Sequence, residues 1–172
     1  MLRRLKTEEF DSVFSLMEAS FPIDERRPYA EQRALLDDSA YEIYVIEQEG
    51  KITAFMAVWQ WARIAFIEHF AVEPACRNGG IGGKMLQELL AHLQTTVCLE
   101  VEPPVDELTH RRIGFYRRHG FFLNDYPYVQ PAISAGKTPV PLMLMSYGSS
   151  LSLKEFAEIK RLLYKKVYKV KE

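Results

Sequence analysis

Residues 68–84 read EHFAVEPACRNGGIGGK, where a short apolar run leads into a turn with four glycines in five positions. Glycine lets the backbone adopt positive φ and approach a ligand closely. The helix predicted to follow presents its first N–H groups at the positive end of its dipole. The segment therefore predicts a phosphate-binding turn at a helix N-terminus.

The helix is predicted from a 3.6-residue apolar period. Its apolar face consists of Ile81, Met85, Leu86, Leu89, Leu90 and Leu93. Lys84 falls in the first turn, where a cation opposes the helix dipole by roughly 0.3–1 kcal/mol unless an anion is bound there. Arg77 adds a second cation before the turn. The alternative is an ordinary glycine turn with two solvated basic side chains.

Two common nucleotide-binding motifs do not fit this turn. A P-loop needs a glycine, four residues and then Gly-Lys-Ser/Thr, but Asn78 replaces the first glycine and Met85 replaces the Ser or Thr. A dinucleotide-binding Gly-x-Gly-x-x-Gly also fails, because Met85 stands where the third glycine is required. A phosphate group bound by this turn would therefore belong to neither of these two nucleotide-binding classes.

The pattern that fits is Arg-x-x-Gly-x-Gly over residues 77–82, with FAVEP at residues 70–74 before it. It resembles the acyl-CoA pyrophosphate loop of the GNAT superfamily of N-acetyltransferases. Residues 97–101 and 113–121 resemble the next strand and the following helix of that superfamily, in the same order. The resemblance is strong over about residues 67–121, and departs from the superfamily at Thr109, where an Asn is common, and in a longer connection over residues 102–107.

The resemblance implies acetyl-CoA as co-substrate and no metal. The residues that it assigns to cofactor binding are Phe70, Ala71, Val72, Arg77, Asn78, Gly79, Gly80, Ile81, Gly82, Gly83, Lys84 and Tyr116. Backbone N–H groups of residues 70–72 are expected to polarise the thioester carbonyl.

Acetyl transfer to an amine needs a base for the ammonium and a proton for the leaving thiolate. Glu68 and Glu100 both resemble positions where superfamily members place a base or an acceptor-binding carboxylate; an exposed face or a structural hydrogen bond is the alternative for each. Tyr116 resembles the tyrosine that protonates the coenzyme A sulfur, and a phenol with a pKa of about 10 is protonated at neutral pH. Core packing is its alternative role. His69 is a further candidate base.

Composition favours one ordered domain over residues 1–172, with 48% hydrophobic and 12% aromatic residues. A net charge of −1 gives no attraction to nucleic acid. Cys76 and Cys98 make neither a disulfide framework nor a metal set. Since no signal sequence or membrane span is apparent, we expect a cytoplasmic protein without nucleic-acid or membrane partners, for which a homodimer is possible.

The remaining elements follow from periodicity and turn signals. Strands are predicted at residues 2–5, 41–47, 51–61, 64–72, near Phe122 and at 142–146, and the second and third of these are predicted to form an antiparallel hairpin around Glu49-Gly50. Helices are predicted to start at Thr7 as N-cap, to span 29–36 and to open at the capping box 152–155. The first helix is predicted to bury Phe10, Val13, Phe14 and Met17. The last helix is predicted to bury Leu153, Phe156, Ile159, Leu163 and Val167. The resemblance implies a mixed α/β (α+β) fold: a mostly antiparallel sheet of about six or seven strands flanked by helices, with that last helix as an extra C-terminal one.

Two loops are candidates for acceptor binding. One is the charged segment 24–27 between two prolines, which the resemblance places beside the acceptor site and which is equally compatible with a solvated loop. The other is the long connection 124–141, where Tyr126, Tyr128 and Gln130 either line a pocket or pack within the loop.

The function predicted on these grounds is direct transfer of an acetyl group from acetyl-CoA to a primary amine of a small molecule or peptide. One alternative is a non-catalytic acyl-CoA or CoA sensor, which needs the phosphate turn but not Glu68, Glu100 and Tyr116 together. A weaker alternative is a peptide-recognition protein that uses the Pro- and Tyr-rich loop.

Overall fold

The computed structural model describes residues 1–171, which form two compact units, Met1–Thr95 and the part from Thr96 onward. The first unit contains β1 (Arg3–Arg4), α1 (Phe10–Ser20), α2 (Tyr29–Ala34), β2 (Tyr41–Gln48), β3 (Lys51–Gln60), β4 (Ile64–Val72) and α3 (Ile81–Leu93). The second contains β5 (Thr96–Val101), α4 (Glu107–Arg118), β6 (Phe121–Asn124), β7 (Val129–Gln130), β8 (Val140–Pro141), β9 (Met143–Tyr147) and α5 (Leu153–Lys166).

The first unit is built on the antiparallel order β1-β2-β3-β4. The predicted β2–β3 hairpin is confirmed, with Glu49 and Gly50 between the strands. Both residues have positive φ, +51° and +75°, as a tight hairpin turn that follows the twist of its strands requires.

Two amphipathic helices supply much of the core of this unit. The predicted buried positions of α1 are confirmed; they are Phe10, Val13, Phe14 and Met17. On α3, Met85, Leu86, Leu89 and Leu90 are buried, whereas Ile81 and Leu93 at the two ends are half-buried. Full burial of a Val, Leu, Phe or Met side chain contributes about 1.5–3 kcal/mol to folding. Burial of these apolar faces therefore holds both helices in the fold of this unit.

The entry into α1 differs from the prediction. Thr7 is not an N-cap but begins a 3-10 turn, Thr7–Glu9, whose N-cap is Lys6. The side chain of Glu9 accepts the Lys6 backbone N–H at 2.9 Å and is held by Arg3 at 2.8 Å. The Glu9 carboxylate therefore helps to cap the start of this helical segment, a role that the sequence assigned to Thr7.

The second unit has the antiparallel order β5-β9-β6, and α4 packs on β5 and β6. The capping box of α5 is confirmed: Ser152 Oγ accepts the Glu155 N–H, and Glu155 accepts the Ser152 N–H. Of the five predicted apolar positions of α5, Leu153 is wrong, since it is 66% exposed. As the first helical residue, it lies at the open end of the helix.

The connection from residue 125 to residue 142 contains a small antiparallel ribbon, β7–β8, that was not predicted. Val129 pairs with Pro141 and Gln130 with Val140. Two-residue strands carry too little alternation for a sequence pattern to reveal them.

The predicted fold class is confirmed. Seven strands, four in the first unit and three in the second, form the main sheet elements, and α5 is the additional C-terminal helix. Within residues 1–171, no helix is long and apolar enough to cross a membrane.

Candidate functional site

The glycine-rich turn joins β4 to α3 through a 3-10 turn, Pro74–Cys76. Asn78 and Gly80 both have positive φ, +66° and +78°, and Gly80 is the N-cap of α3. Because glycine has no side chain, it cannot cap the N–H groups of the first helical turn. These N–H groups are therefore suited to an anionic ligand.

Two exposed cations lie at the turn. Arg77 donates its Nε–H to the Val72 carbonyl at 3.1 Å, which anchors the guanidinium at the end of β4. Lys84 lies in the first turn of α3, where its charge opposes the dipole in the absence of an anion. The turn, the helix end and both cations together match the chemistry of a pyrophosphate group.

We predict that Gly80→Ala destabilises the protein by about 1–2 kcal/mol, because a residue with a Cβ is strained at this positive φ. An added Cβ would meet no atom within 4 Å, so the effect comes from the backbone alone. Gly79→Ala is the matched control, since its added Cβ lies at ordinary contact distance, 3.8 Å from the Cys76 carbonyl oxygen. Urea unfolding measures both variants; equal losses at the two positions would contradict the prediction.

Glu68 lies at a β-bulge in β4. Ala57 pairs with His69 and Val58 with Ile67, so Glu68 is the extra residue between two paired positions. A bulge changes the direction of the side chains around it. Beyond it, Phe70, Ala71 and Val72 pair with β3 again.

The Glu68 carboxylate is buried and forms a two-point ion pair with Arg27. The two N–H···O distances are 2.7 and 3.1 Å, and the side chains are 2% and 5% exposed. Trp59 donates its Nε1–H to the same carboxylate at 3.2 Å. Burial alone would raise the pKa of Glu68, but Arg27, His69 and Trp59 together outweigh it and hold the pKa below its usual 4.5. Glu68 is therefore ionised and paired at neutral pH.

His69 ties the same bulge to the loop that carries Arg27. Its Nε2 lies 2.7 Å from the Glu25 carbonyl oxygen, which only accepts hydrogen bonds, so we assign the ring proton to Nε2. Its Nδ1 is buried 3.6 Å from a Glu68 oxygen and has no hydrogen-bond partner among residues 1–171. Burial lowers the pKa of His69 below its usual 6.5.

Because its pKa is lowered, His69 should make the stability of the folded protein depend on pH. A group whose folded pKa is depressed stabilises the protein fully above its unfolded pKa and loses that effect as the pH falls. For His69 the loss begins below about pH 6.5, with a slope of at most about 1.4 kcal/mol per pH unit, and Glu68 adds a second loss below about pH 4.5. We expect His69→Gln to reduce the slope of the free energy of unfolding against pH between about pH 7 and pH 5.

Chemical denaturation at several pH values measures that slope. His92→Gln is the control, because His92 is exposed on α3. If both variants kept the slope of the unmodified protein, His69 would not be its source.

In the second unit, Glu100 of β5 accepts hydrogen bonds from two tyrosine hydroxyls. Tyr128 lies 2.5 Å from Oε1, and Tyr168 lies 2.6 Å from Oε1 and 2.8 Å from Oε2. Both tyrosines are buried. Burial, with the nearby Glu100 carboxylate, raises the pKa of Tyr128 well above its usual 10, so it stays protonated and donates.

Tyr116 lies on α4, half-buried between aromatic rings. Its ring centroid is 5.2 Å from that of Phe115 and 5.7 Å from that of Phe121. Burial raises the pKa of Tyr116 to about 12. The phenol is thus a proton donor at neutral pH, and its ring also packs in the unit.

Thr109, where the superfamily often has Asn, has a defined local role. Its hydroxyl accepts the N–H groups of Val105 and Asp106 at 3.0 and 3.1 Å, and its own N–H donates to Asp106 at 2.8 Å. This capping box starts α4 at Glu107, six residues before the helical segment recognised in the sequence. The departure therefore stabilises the helix that carries Tyr116.

The predicted residues fall into separate groups. Glu68 and the glycine turn belong to the first unit, and Glu100 and Tyr116 belong to the second. The charged segment 24–27 is not simply solvated, because Arg27 is 4% exposed. In the 124–141 connection, Tyr128 and Gln130 are 5% and 3% exposed, as packing of the loop requires. Sequence patterns missed the roles of Arg27, Trp59 and Tyr168. The carboxylates that Arg27 and Tyr168 bond lie 41 and 68 residues away, and the partner of Trp59 lies on the adjacent strand.

Comparison with known proteins agrees with this architecture. The model of the acetyltransferase (GNAT) family matches residues 10–121. "Putative acetyltransferase YjbC" of Bacillus subtilis (strain 168) is 35% identical over 104 residues, 59% of this chain. The match spans only 52% of that relative, about half its length.

Solved structures show the same fold. The "Putative acetyltransferase from GNAT family" of Bacteroides thetaiotaomicron is 33% identical, covers 99% of both chains and has a TM-score of 0.89. An aminoglycoside 6'-N-acetyltransferase complexed with coenzyme A has a TM-score of 0.62 over 85% of this chain and 95% of its own, at 13% identity. The second likeness concerns the fold alone. With the family match covering most of the chain, this protein belongs to the GNAT family of acetyltransferases.

Proposed function

We propose that this protein is an N-acetyltransferase that transfers the acetyl group of acetyl-CoA directly to a primary amine of a small molecule or peptide. The observation that carries the proposal is the glycine turn, with its two positive-φ residues, uncapped helix start and exposed Arg77 and Lys84. The GNAT family, to which the chain belongs, uses acetyl-CoA. We also propose that the protein is cytoplasmic and binds neither nucleic acid nor membranes. The proposed function is compatible with either a monomer or a homodimer.

In this proposal the turn binds the coenzyme A pyrophosphate. The backbone N–H groups at residues 79–83 and the side chains of Arg77 and Lys84 neutralise its charge. Backbone N–H groups of residues 70–72 polarise the thioester carbonyl. These roles use the strand end and the helix start that the glycine turn connects.

The reaction needs two protons to move. The acceptor arrives as an ammonium ion and gives one proton to a carboxylate, after which its nitrogen attacks the thioester carbon. A C–N bond forms, the C–S bond breaks, and the leaving sulfur takes the phenolic proton of Tyr116. The attacking nitrogen loses its second proton to restore Tyr116 through water, and each turnover releases one proton to solvent.

We propose Glu100, rather than Glu68, as the carboxylate that takes the first proton. Both oxygens of Glu68 are paired with the buried Arg27 guanidinium, whose positive charge repels an ammonium ion. The Tyr128 and Tyr168 side chains that donate to Glu100 are uncharged hydroxyls, unlike the guanidinium that pairs with Glu68. Glu68 then serves to hold the bulge and the 21–28 loop.

The alternative of a non-catalytic acyl-CoA sensor shares the glycine turn. The two alternatives differ in Glu100 and Tyr116, because only the enzyme needs these residues as proton acceptor and proton donor. A sensor binds acetyl-CoA but releases no free thiol when amines are supplied, whereas the proposed enzyme releases thiol in proportion to the acetylated amine.

We expect acetyl-CoA to raise the melting temperature, since a ligand at about 100 times its dissociation constant adds roughly 2.7 kcal/mol to stability. Arg77→Ala should reduce the shift, because it removes a cation from the turn. Arg63→Ala is the matched control, as an exposed arginine before β4. The absence of any shift at millimolar acetyl-CoA would contradict both the enzyme and the sensor.

A further inference from the structure

The Glu100 carboxylate is the meeting point of two segments far away in sequence. Tyr128 is 28 residues and Tyr168 is 68 residues from it. The two tyrosines are 5% and 6% exposed and therefore buried. The Tyr168 hydroxyl lies within 2.8 Å of both carboxylate oxygens, and Tyr128 bonds to one of them.

Each tyrosine is fixed by its own surroundings. The Tyr128 ring lies 6.3 Å from that of Phe156 and 5.9 Å from that of Tyr164, both on α5. Tyr128 therefore has little freedom to leave the carboxylate.

Tyr168 is placed by the way in which α5 ends. The N–H groups of Val167 and Tyr168 both donate to the Leu163 carbonyl, and the Val170 N–H donates to the Tyr164 carbonyl at 2.9 Å. Lys169 has a φ of +54°, the left-handed conformation that closes a helix with this hydrogen-bond pattern. The turn that ends the helix thus sets the position of the Tyr168 ring.

Two hydroxyl donors on one carboxylate have a chemical consequence. Hydrogen bonds to the charged form favour that form and are stronger than bonds between neutral groups. They also restrict the rotation of the carboxylate, and a fixed geometry between reacting groups accelerates a reaction. Hydrogen bonds that only held the fold together would not need to stabilise the charged carboxylate or to restrict its rotation.

We propose that Tyr128 and Tyr168 are positioning residues for acetyl transfer, which hold the Glu100 carboxylate ionised and in one orientation. This inference rests on the proposed function, in which Glu100 accepts a proton from the acceptor amine. It adds the C-terminal segment after α5 and the loop before β7 to the residues that determine the reaction rate.

The test is Tyr168→Phe, which removes one hydroxyl and keeps the ring. We expect kcat to fall about tenfold while KM for acetyl-CoA stays within about twofold. The acidic limb of the pH profile of kcat/KM should move up by about one pH unit, because losing a hydrogen bond to the charged form makes protonation easier. Tyr128→Phe should behave in the same way.

Tyr164→Phe is the matched control, because its hydroxyl donates to the Val129 carbonyl and its ring packs on Tyr128 in the same cluster. It should leave kcat and the acidic limb unchanged. An unchanged profile in Tyr168→Phe would overturn the proposal, and so would a fall in kcat that Tyr164→Phe shares without a shift of the limb.

A second measurement does not depend on activity. In a double-mutant cycle of unfolding, Tyr168→Phe and Glu100→Met should be non-additive, since each removes the same hydrogen bond. Additive effects would overturn the positioning role even in an active enzyme. If the unmodified protein transferred no acetyl group to any amine while the cycle showed coupling, the proposed function would fail and the contact itself would stand.

Discussion

Replacing Tyr116 with phenylalanine is expected to lower kcat for acetyl transfer by about 10²–10⁴-fold, the range for a lost general acid. The departing thiolate would have to take its proton from water instead. The phenol suits this role because burial raises the pKa of Tyr116 to about 12, which keeps it protonated at neutral pH. Stopped assays of free-thiol release with a saturating amine measure the change.

The fold should tolerate this substitution, since Phe keeps the ring contacts with Phe115 and Phe121. Melting temperature and acetyl-CoA affinity should therefore match those of the unmodified protein. Tyr147→Phe is the control, because its ring also contacts Phe121 while its side chain is 41% exposed. If Tyr116→Phe were as fast as the unmodified protein, Tyr116 would not be the acid.

Replacing Arg27 with methionine is expected to produce the largest loss of stability. It removes the partner of a carboxylate that is 2% exposed, and breaking a buried ion pair costs about 3–5 kcal/mol. For a chain of this size that corresponds to a fall in melting temperature of roughly 6–20 °C. Differential scanning calorimetry measures the fall directly.

The double variant Arg27→Met with Glu68→Met should recover most of the loss, because no charge is then left buried without its partner. Arg26→Met is the control, since the Arg26–Glu18 pair is 3.6 Å long and Glu18 is 50% exposed. A partly exposed pair of this kind contributes about 0–1 kcal/mol. Equal losses for Arg26→Met and Arg27→Met would show that burial of the Glu68 pair does not determine its strength.

Local features of the fold were predictable from the sequence. The β2–β3 hairpin follows from Glu49-Gly50, the start of α5 follows from Ser152 and Glu155, and the start of α3 follows from the glycine turn. Each depends on residues within about four positions of one another, where backbone sterics and capping act.

Long-range contacts of the candidate site were not predictable in this way. Arg27 reaches Glu68 across 41 residues, and Tyr168 reaches Glu100 across 68. Periodicity identifies which face of an element is apolar, but it does not say which distant polar groups meet on that face. The bulge at Glu68 also shifts the alternation of β4, so a strict two-residue pattern misplaces the side chains around it.

The central claim is that this chain moves an acetyl group from acetyl-CoA to an amine. The most direct measurement incubates the protein with acetyl-CoA labelled in its acetyl carbons and a panel of polyamines, amino acids, aminoglycosides and peptide N-termini, and follows the label by mass spectrometry. We predict that label accumulates on the nitrogen of at least one primary amine, in step with free coenzyme A, and that Glu100→Gln and Tyr116→Phe slow its appearance. Binding of acetyl-CoA with no label on any amine across the panel would contradict the claim.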